Sequence, residues 1–339
     1  MHSGIYAKLC ALMCLVGAAV GLSSCDMINE DLPECRHDYL LRFKYDYNIT
    51  GGDAFAAQVT SVNAWIYDKE GHLATTVSAS GEALKDPDFA IPLSLEPGTY
   101  DIVAWCGVDA GSSFRLTTAS PSPQMMELGV ELPLTTRADY YSSRDLTPLW
   151  HGFLSNVEFT APEGQNTVQT ATVSLVKDTN HIAVSLVQID GTPIGRGDFS
   201  FRIIAANSRL AWDNLPTDEA DFDYIPYNTK VADASAPNSD NSLYGVVADF
   251  SSSRLMADRR PVLSITRNAD NTEIVRIDLV KYLLFVKGQY KTDWTDQEYL
   301  DRQDHYTLTF FTDKDLNWYR AIGVVINNWV VVPDQPTPF

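Results

Sequence analysis

Long hydrophobic runs are scarce in this chain of 339 residues. The apolar stretch from Leu9 to Val20 falls short of the roughly 20 residues that a membrane-spanning helix needs, so a bilayer-crossing helix is excluded there. Positive charge is also in short supply. With 25 Lys and Arg against 44 Asp and Glu, the formal net charge is −19, and such a surface repels phosphate backbones and anionic headgroups. Nucleic acid is excluded as a partner. Only 5 cysteines and 6 histidines occur, with no ligand spacing of the zinc type, so neither a metal nor a cofactor is expected. The sequence has no Gly-x-Ser-x-Gly elbow and no His-Glu-x-x-His pair. Among 44 acids no carboxylate pair stands out for glycoside hydrolysis. The expectation is a protein that is not an enzyme and takes no small-molecule substrate.

What is present begins with Leu22-Ser23-Ser24-Cys25 at the close of that apolar stretch. Small residues before a cysteine, after a short hydrophobic segment, are the pattern of a lipoprotein signal peptide. Residues 1–24 are therefore expected to be removed and Cys25 to carry the lipid, with residues 25–36 as an acidic tether holding Asp26, Glu30, Asp31 and Glu34. Cys10 and Cys14 leave with the signal. Cys35 and Cys106 remain in an oxidising compartment, where a disulfide between them is the simplest outcome and two separate buried thiols the alternative.

Period-two alternation dominates after the tether. Leu41, Phe43, Tyr45 and Tyr47 share one face of a first strand, and Val62, Ala64 and Ile66 alternate with Ser61, Asn63 and Trp65 in the next. Asp68-Lys69-Glu70-Gly71 reads as a hairpin turn. Further strands are expected at 89–95, 99–105, 126–134 and 170–177, then at 181–189, 199–205, 243–250, 262–266, 273–285, 306–311 and 321–332. This is the spacing of β-sandwiches, one over 37–178 and one over 179–333, divided at Lys177-Asp178-Thr179-Asn180, with 334–339 as a tail. Residues 208–242 read as a long irregular segment. One helix is legible near Asp296–Arg302, where Thr295 and Glu298 form a capping box.

Several local patterns have ordinary explanations. Asp218, Glu219, Asp221 and Asp223 lack the glycine and spacing of a calcium loop, and Arg196-Gly197-Asp198 sits where a turn requires its glycine. His151, His181 and His305 read as packing or hydrogen-bonding residues. Trp65, Trp105 and Trp329 lie in strands and read as core filling. Trp212 and Trp294 fall in irregular segments and are the candidates for exposed contacts.

The order of features resembles a known family. Glu30-Asp31-Leu32-Pro33-Glu34-Cys35 follows the lipobox cysteine, and Leu41 to Asn48, Val62 to Gly71 and Gly98 to Gly107 come next. Leu149-Trp150-His151-Gly152, Gln297 to Tyr306 and Ile326 to Val331 complete a series similar to the fimbrial anchor family of type V pili, the FimB-type or minor-fimbrium anchor lipoproteins. The resemblance implies two tandem Greek-key, transthyretin-like sandwiches. It also implies a lipoprotein of the cell outer membrane, exposed at the surface, that holds a pilus and limits its length by binding the pilus stalk subunit. Stalk and tip subunits share the lipobox and both sandwiches, and a surface glycan- or host-binding adhesin is the reading from another class. For strand complementation the last strand is the candidate donor. Ile322, Val324, Ile326, Val330 and Val332 are placed on one of its faces and Val325, Trp329 and Val331 on the other, apolar on both sides.

Overall fold

The computed structural model describes residues 39–118, 122–133, 140–161, 168–218, 220–233, 243–290, 293–319 and 323–331. Alternation starts at once in β1 (Tyr39–Lys44), where Tyr39, Leu41 and Phe43 are buried and their neighbours are half-exposed. Helix α1 (Phe55–Gln58), β2 (Ser61–Asp68), β3 (Leu73–Ser80), β4 (Ile91–Leu93) and β5 (Gly98–Cys106) follow. Next come β6 (Arg115–Leu116), β7 (Gly129–Glu131), β8 (Tyr141–Ser142), β9 (Trp150–Phe159), β10 (Gln169–Ser174) and β11 (Val176–Lys177). Of these, β1, β4 and β10 build a three-stranded sheet ordered β10-β1-β4, and β2, β3, β5, β9 and β11 a five-stranded sheet ordered β11-β9-β5-β2-β3, while β6, β7 and β8 pair with later strands.

The rest of the chain supplies β12 (Asn180–Gln188), β13 (Phe199–Ala205), β14 (Arg209–Ala211), β15 (Phe222–Tyr224), β16 (Asn228–Asp233) and β17 (Tyr244–Ser252). It continues through β18 (Val262–Arg267), β19 (Thr272–Asp278), α2 (Leu279–Leu284), α3 (Asp296–Arg302), β20 (His305–Thr312), β21 (Val324–Ile326) and β22 (Trp329–Val331). A six-stranded sheet ordered β16-β17-β12-β20-β21-β22 faces a five-stranded one ordered β19-β18-β13-β15-β8, and β14-β7-β6 form a small third sheet. The architecture is all-β, with two sandwiches, as the alternation predicts.

Two apolar cores result, and β2 and β5 serve both. Val62, Ala64, Ile66, Ile102, Ala104 and Cys106 point toward β1 and fill the first core. Trp65, Tyr67, Val103 and Trp105, on the opposite face of the same strands, join the core that holds β12, β13 and β20. A strand buried on both faces reads as an unbroken apolar run, which is what Ile102 to Cys106 is. From Tyr39 onward the chain is one compact unit.

Local chemistry explains where the structure departs from the expected strands. The stretch 273–285 is not one strand, because the Asp278 side chain accepts a hydrogen bond from the Lys281 backbone N–H and starts α2. The stretch 321–332 is not one strand either. Asn327 and Asn328, at φ 45° and 69°, turn the chain between β21 and β22, the positive-φ pair that a two-residue hairpin demands. Within 208–242, read as irregular, β14, β15 and β16 are formed; they are short or polar, so alternation is weak in them. The expected strand at 126–134 shortens to β7, preceded by a 3₁₀ turn at Met125–Glu127. Thr295 does cap α3 by accepting from the Glu298 N–H at 3.0 Å, while the Glu298 carboxylate accepts from Arg302 instead of reaching back.

Candidate functional site

The expected donor strand lies within the chain's own sheet. β21 pairs with β20 through Leu308 with Ile326 and Thr309 with Val325, and Val324 and Ile326 are fully buried in the second core. Its apolar character on both sides is that of an internal strand. The outer strand β22 leaves Trp329 at 47% and Val330 at 69% exposure, so Trp329 is not core filling. Ile322 and Val332 lie outside the described residues.

Cys25 and Cys35 also lie outside them. Cys106 is a free, fully buried thiol at the end of β5, and burial pushes its ionisation far above the usual thiol range. Trp212 and Trp294, expected to be exposed, are half-buried instead. Trp212 meets Phe153 edge-on at 5.2 Å, and Trp294 lies 5.1 Å from the Arg302 guanidinium, which also covers Tyr47 at 4.0 Å. Trp65 and Trp105 are core residues. His151 is buried, its Nε2 2.8 Å from the Trp212 carbonyl; burial lowers its pKa to about 3, against the pull of that bond. His181 stacks on His305 with ring centroids 5.0 Å apart. Asp198 ties its own turn by accepting from the Gly195 N–H. Asp218 accepts from the Arg209 N–H, and Asp223 pairs with Arg202 at 3.1 Å; Glu219 lies outside the described residues. Among the described residues no group of acids, histidines or cysteines is arranged for a metal, and no helix is long and apolar enough to cross a membrane.

The polar stretch read as a boundary is buried. Asp178 and Thr179 are fully shielded at the passage from β11 to β12. Arg254, after β17, grips Asp301 of α3 with two bonds of 2.9 and 2.8 Å and donates to the Asn214 carbonyl at 2.6 Å. It also stands 3.8 Å from Asp178, whose Oδ1 accepts from Asn214 at 2.9 Å. The second Asp178 oxygen has no hydrogen-bond partner in the structure. Burial raises the Asp178 pKa to about 7, with Arg254 and Asn214 opposing the rise. Nearby, Lys177 meets Asp304 at 2.5 Å; burial works to raise the Asp304 pKa, but His305 and Lys177 bring it down to about 2. Arg302 reaches from α3 to the Asp46 and Asn48 carbonyls just beyond β1. This hub pins α3 and the second sandwich to the first. Sequence reading missed it because its members are far apart in the chain.

Comparison with known proteins agrees with this architecture. Residues 32–334 match the model of the fimbrillin-A associated anchor proteins Mfa1 and Mfa2. The chain is 25% identical over 327 residues to the minor fimbrium anchoring subunit Mfa2 of Porphyromonas gingivalis, covering 96% of this chain and 94% of that protein. A crystal structure of a candidate adhesin from Bacteroides thetaiotaomicron superimposes with a TM-score of 0.76 at 31% identity, over 89% of this chain and 100% of the other. The fimbrial anchor protein Mfa2 of Porphyromonas gingivalis shares the fold at a TM-score of 0.65 and 17% identity, over 87% and 98% of the two chains. With that family's model matched over residues 32–334, most of the chain, the protein belongs to the family of fimbrillin-A associated anchor proteins.

Proposed function

We propose that this protein is a surface lipoprotein of the outer membrane that holds a fimbrium to the cell and limits its length. The family match over residues 32–334 carries the reading. Leu22-Ser23-Ser24-Cys25 supplies the means of attachment, since acyl chains on Cys25 hold a protein that has no apolar helix of spanning length among its described residues. The stalk subunit meets it by β-strand complementation, in which one chain's extended segment completes another's sheet. The role is structural and needs no catalysis. Deleting the gene should release fimbriae into the medium and lengthen them, measured by electron microscopy of cells and culture fluid. Attached fimbriae of normal length in the deletion strain would refute the reading.

A second reading, adhesion to a surface glycan, is favoured by one feature. An open cleft of about 530 Å³ on the β13–β18 face is lined by Ser200, Arg202, Ser264, Thr266 and Asn268, side chains that hydrogen-bond readily to hydroxyls. Screening the protein on a glycan array decides this, and an Arg202→Ala variant with unchanged glycan signal would remove the cleft from it.

A further inference from the structure

Edge strands expose unpaired backbone groups, and proteins usually blunt them with charge, proline, shortness or cover. Most edges here follow that rule. β4 carries Pro92, β19 carries Glu273 and Arg276, β16 carries Lys230, and β22 is three residues long. The uncharged β10 runs on through Leu175, whose N–H bonds the Lys44 carbonyl, into β11 of the facing sheet, so that side of the sandwich is closed.

β3 is different. Its eight residues, Leu-Ala-Thr-Thr-Val-Ser-Ala-Ser, include no charge, proline or glycine, and it ends the five-stranded sheet. The bond from the Gly81 N–H to the Thr60 carbonyl sets the ladder with β2. By alternation, Thr76 and Ser78 then aim their N–H and C=O groups away from β2. No backbone hydrogen bond to them from that side occurs among the described residues. At the base of the strand the Leu73 N–H bonds the Pro123 carbonyl and the Met125 N–H bonds the Gly71 carbonyl; at its far end the 3₁₀ turn Gly81–Lys85 begins. The open edge between them is a slot for about seven residues, roughly 23 Å long.

The side chains describe what fits the slot. Val77 and Ala79 are half-buried against the first core, so an incoming strand finds an apolar row on that face. On the other face Ala74, Thr76 and Ser78 are small and exposed, leaving room for larger side chains. Met126, at 72% the most exposed large apolar side chain among the described residues, follows directly on the Met125 contact at the slot's base. Its flexible thioether adapts to varied partners.

We propose that β3 is the docking edge for a fimbrial subunit, which adds an extended segment with alternating apolar side chains to the five-stranded sheet. This rests on the anchoring role above and names the surface that performs it. A second copy of the chain fits less well, because each copy carries a formal charge of −19 and the two repel.

The test uses fimbriae sheared from the expressing cells and the purified full chain without its signal. Backbone hydrogen exchange at Thr76 and Ser78 should slow when fimbriae are added. Ser78→Pro removes an outward N–H that β2 does not use, and should weaken binding at least tenfold with circular dichroism unchanged. Thr76→Lys, which blunts the edge without touching the backbone, should do the same and serves if the proline variant misfolds. Binding at full strength by the folded variants, with protection elsewhere, overturns the β3 assignment and leaves the anchoring role standing. Protection that grows with protein concentration alone means self-pairing and also overturns it. No binding of fimbriae by the unaltered chain removes the anchoring role and β3 together.

Discussion

Asp178 is the residue whose environment asks most of it. Fully buried, with one oxygen unpartnered, it is raised from 3.8 to about 7. A carboxyl whose pKa is higher in the folded state than in the unfolded contributes stability that is complete below the unfolded value and lost as pH rises through the folded one. That window runs from about 4 to about 7. Asp178→Asn keeps the shape and removes the charge, so the variant should exceed the parent in stability at pH 8 by on the order of 2–4 kcal/mol, with the gap closing toward pH 4. His151 works in the other direction, since its pKa is lowered by burial and its share of stability is lost as pH falls below about 6.5. Comparing the two proteins at each pH cancels that contribution. Denaturant unfolding at pH 4, 6 and 8 measures the difference, and a gap independent of pH would contradict the assignment.

Cys106 allows a second expectation at this scale. The ring of Tyr39 meets Phe159, which pairs with Gly98, whereas Cys106 pairs with Trp150 at the other end of β5. A cysteine four residues before Tyr39 reaches about 14 Å at full stretch, and the run from Gly98 to Cys106 measures about 26 Å. The distance disfavours a Cys35–Cys106 bond. Intact mass of the unreduced protein should show both thiols free, with Cys106 alkylated only after unfolding; a loss of two hydrogens would show that they pair.

At the scale of elements, caps and turns decide what the apolar pattern leaves open. Thr295→Ala should cost about 1 kcal/mol by removing the acceptor for the Glu298 N–H, read as a lower midpoint of thermal unfolding. The α3 cap was legible because its residues are three apart. The Asn327-Asn328 turn was present in the sequence too, but apolar residues on both sides masked it, and a hairpin looked like one strand. Asp278 was hidden likewise, since the Leu279–Leu284 run suits a strand as well as a helix until the aspartate is read as a cap. β15 escaped because three residues do not make a period, and β16 because Asn228, Thr229, Lys230 and Asp233 leave too few apolar side chains to show one. The hub joining Asp178, Arg254 and Asp301 was illegible, as no spacing rule connects residues brought together by the fold.

The anchoring role proposed above requires the whole molecule to be held at one end and to hold something else. Cys25→Ala should abolish acyl labelling and free the protein from the membrane, measured by a fatty-acid analogue and cell fractionation. Persistent label on the variant would place the lipid elsewhere. Force applied from the proposed lipid at Cys25 would enter the described fold at Tyr39. There β1 lies between two neighbours, in parallel register with β10 over six residue pairs and antiparallel to β4 over three. A pull along β1 from that end is parallel to the strand and perpendicular to its hydrogen bonds, so it loads them in shear, all together, instead of peeling them one at a time. The position of the first strand thus makes Tyr39 the entry to a mechanical clamp, with its greatest resistance to a pull along β1.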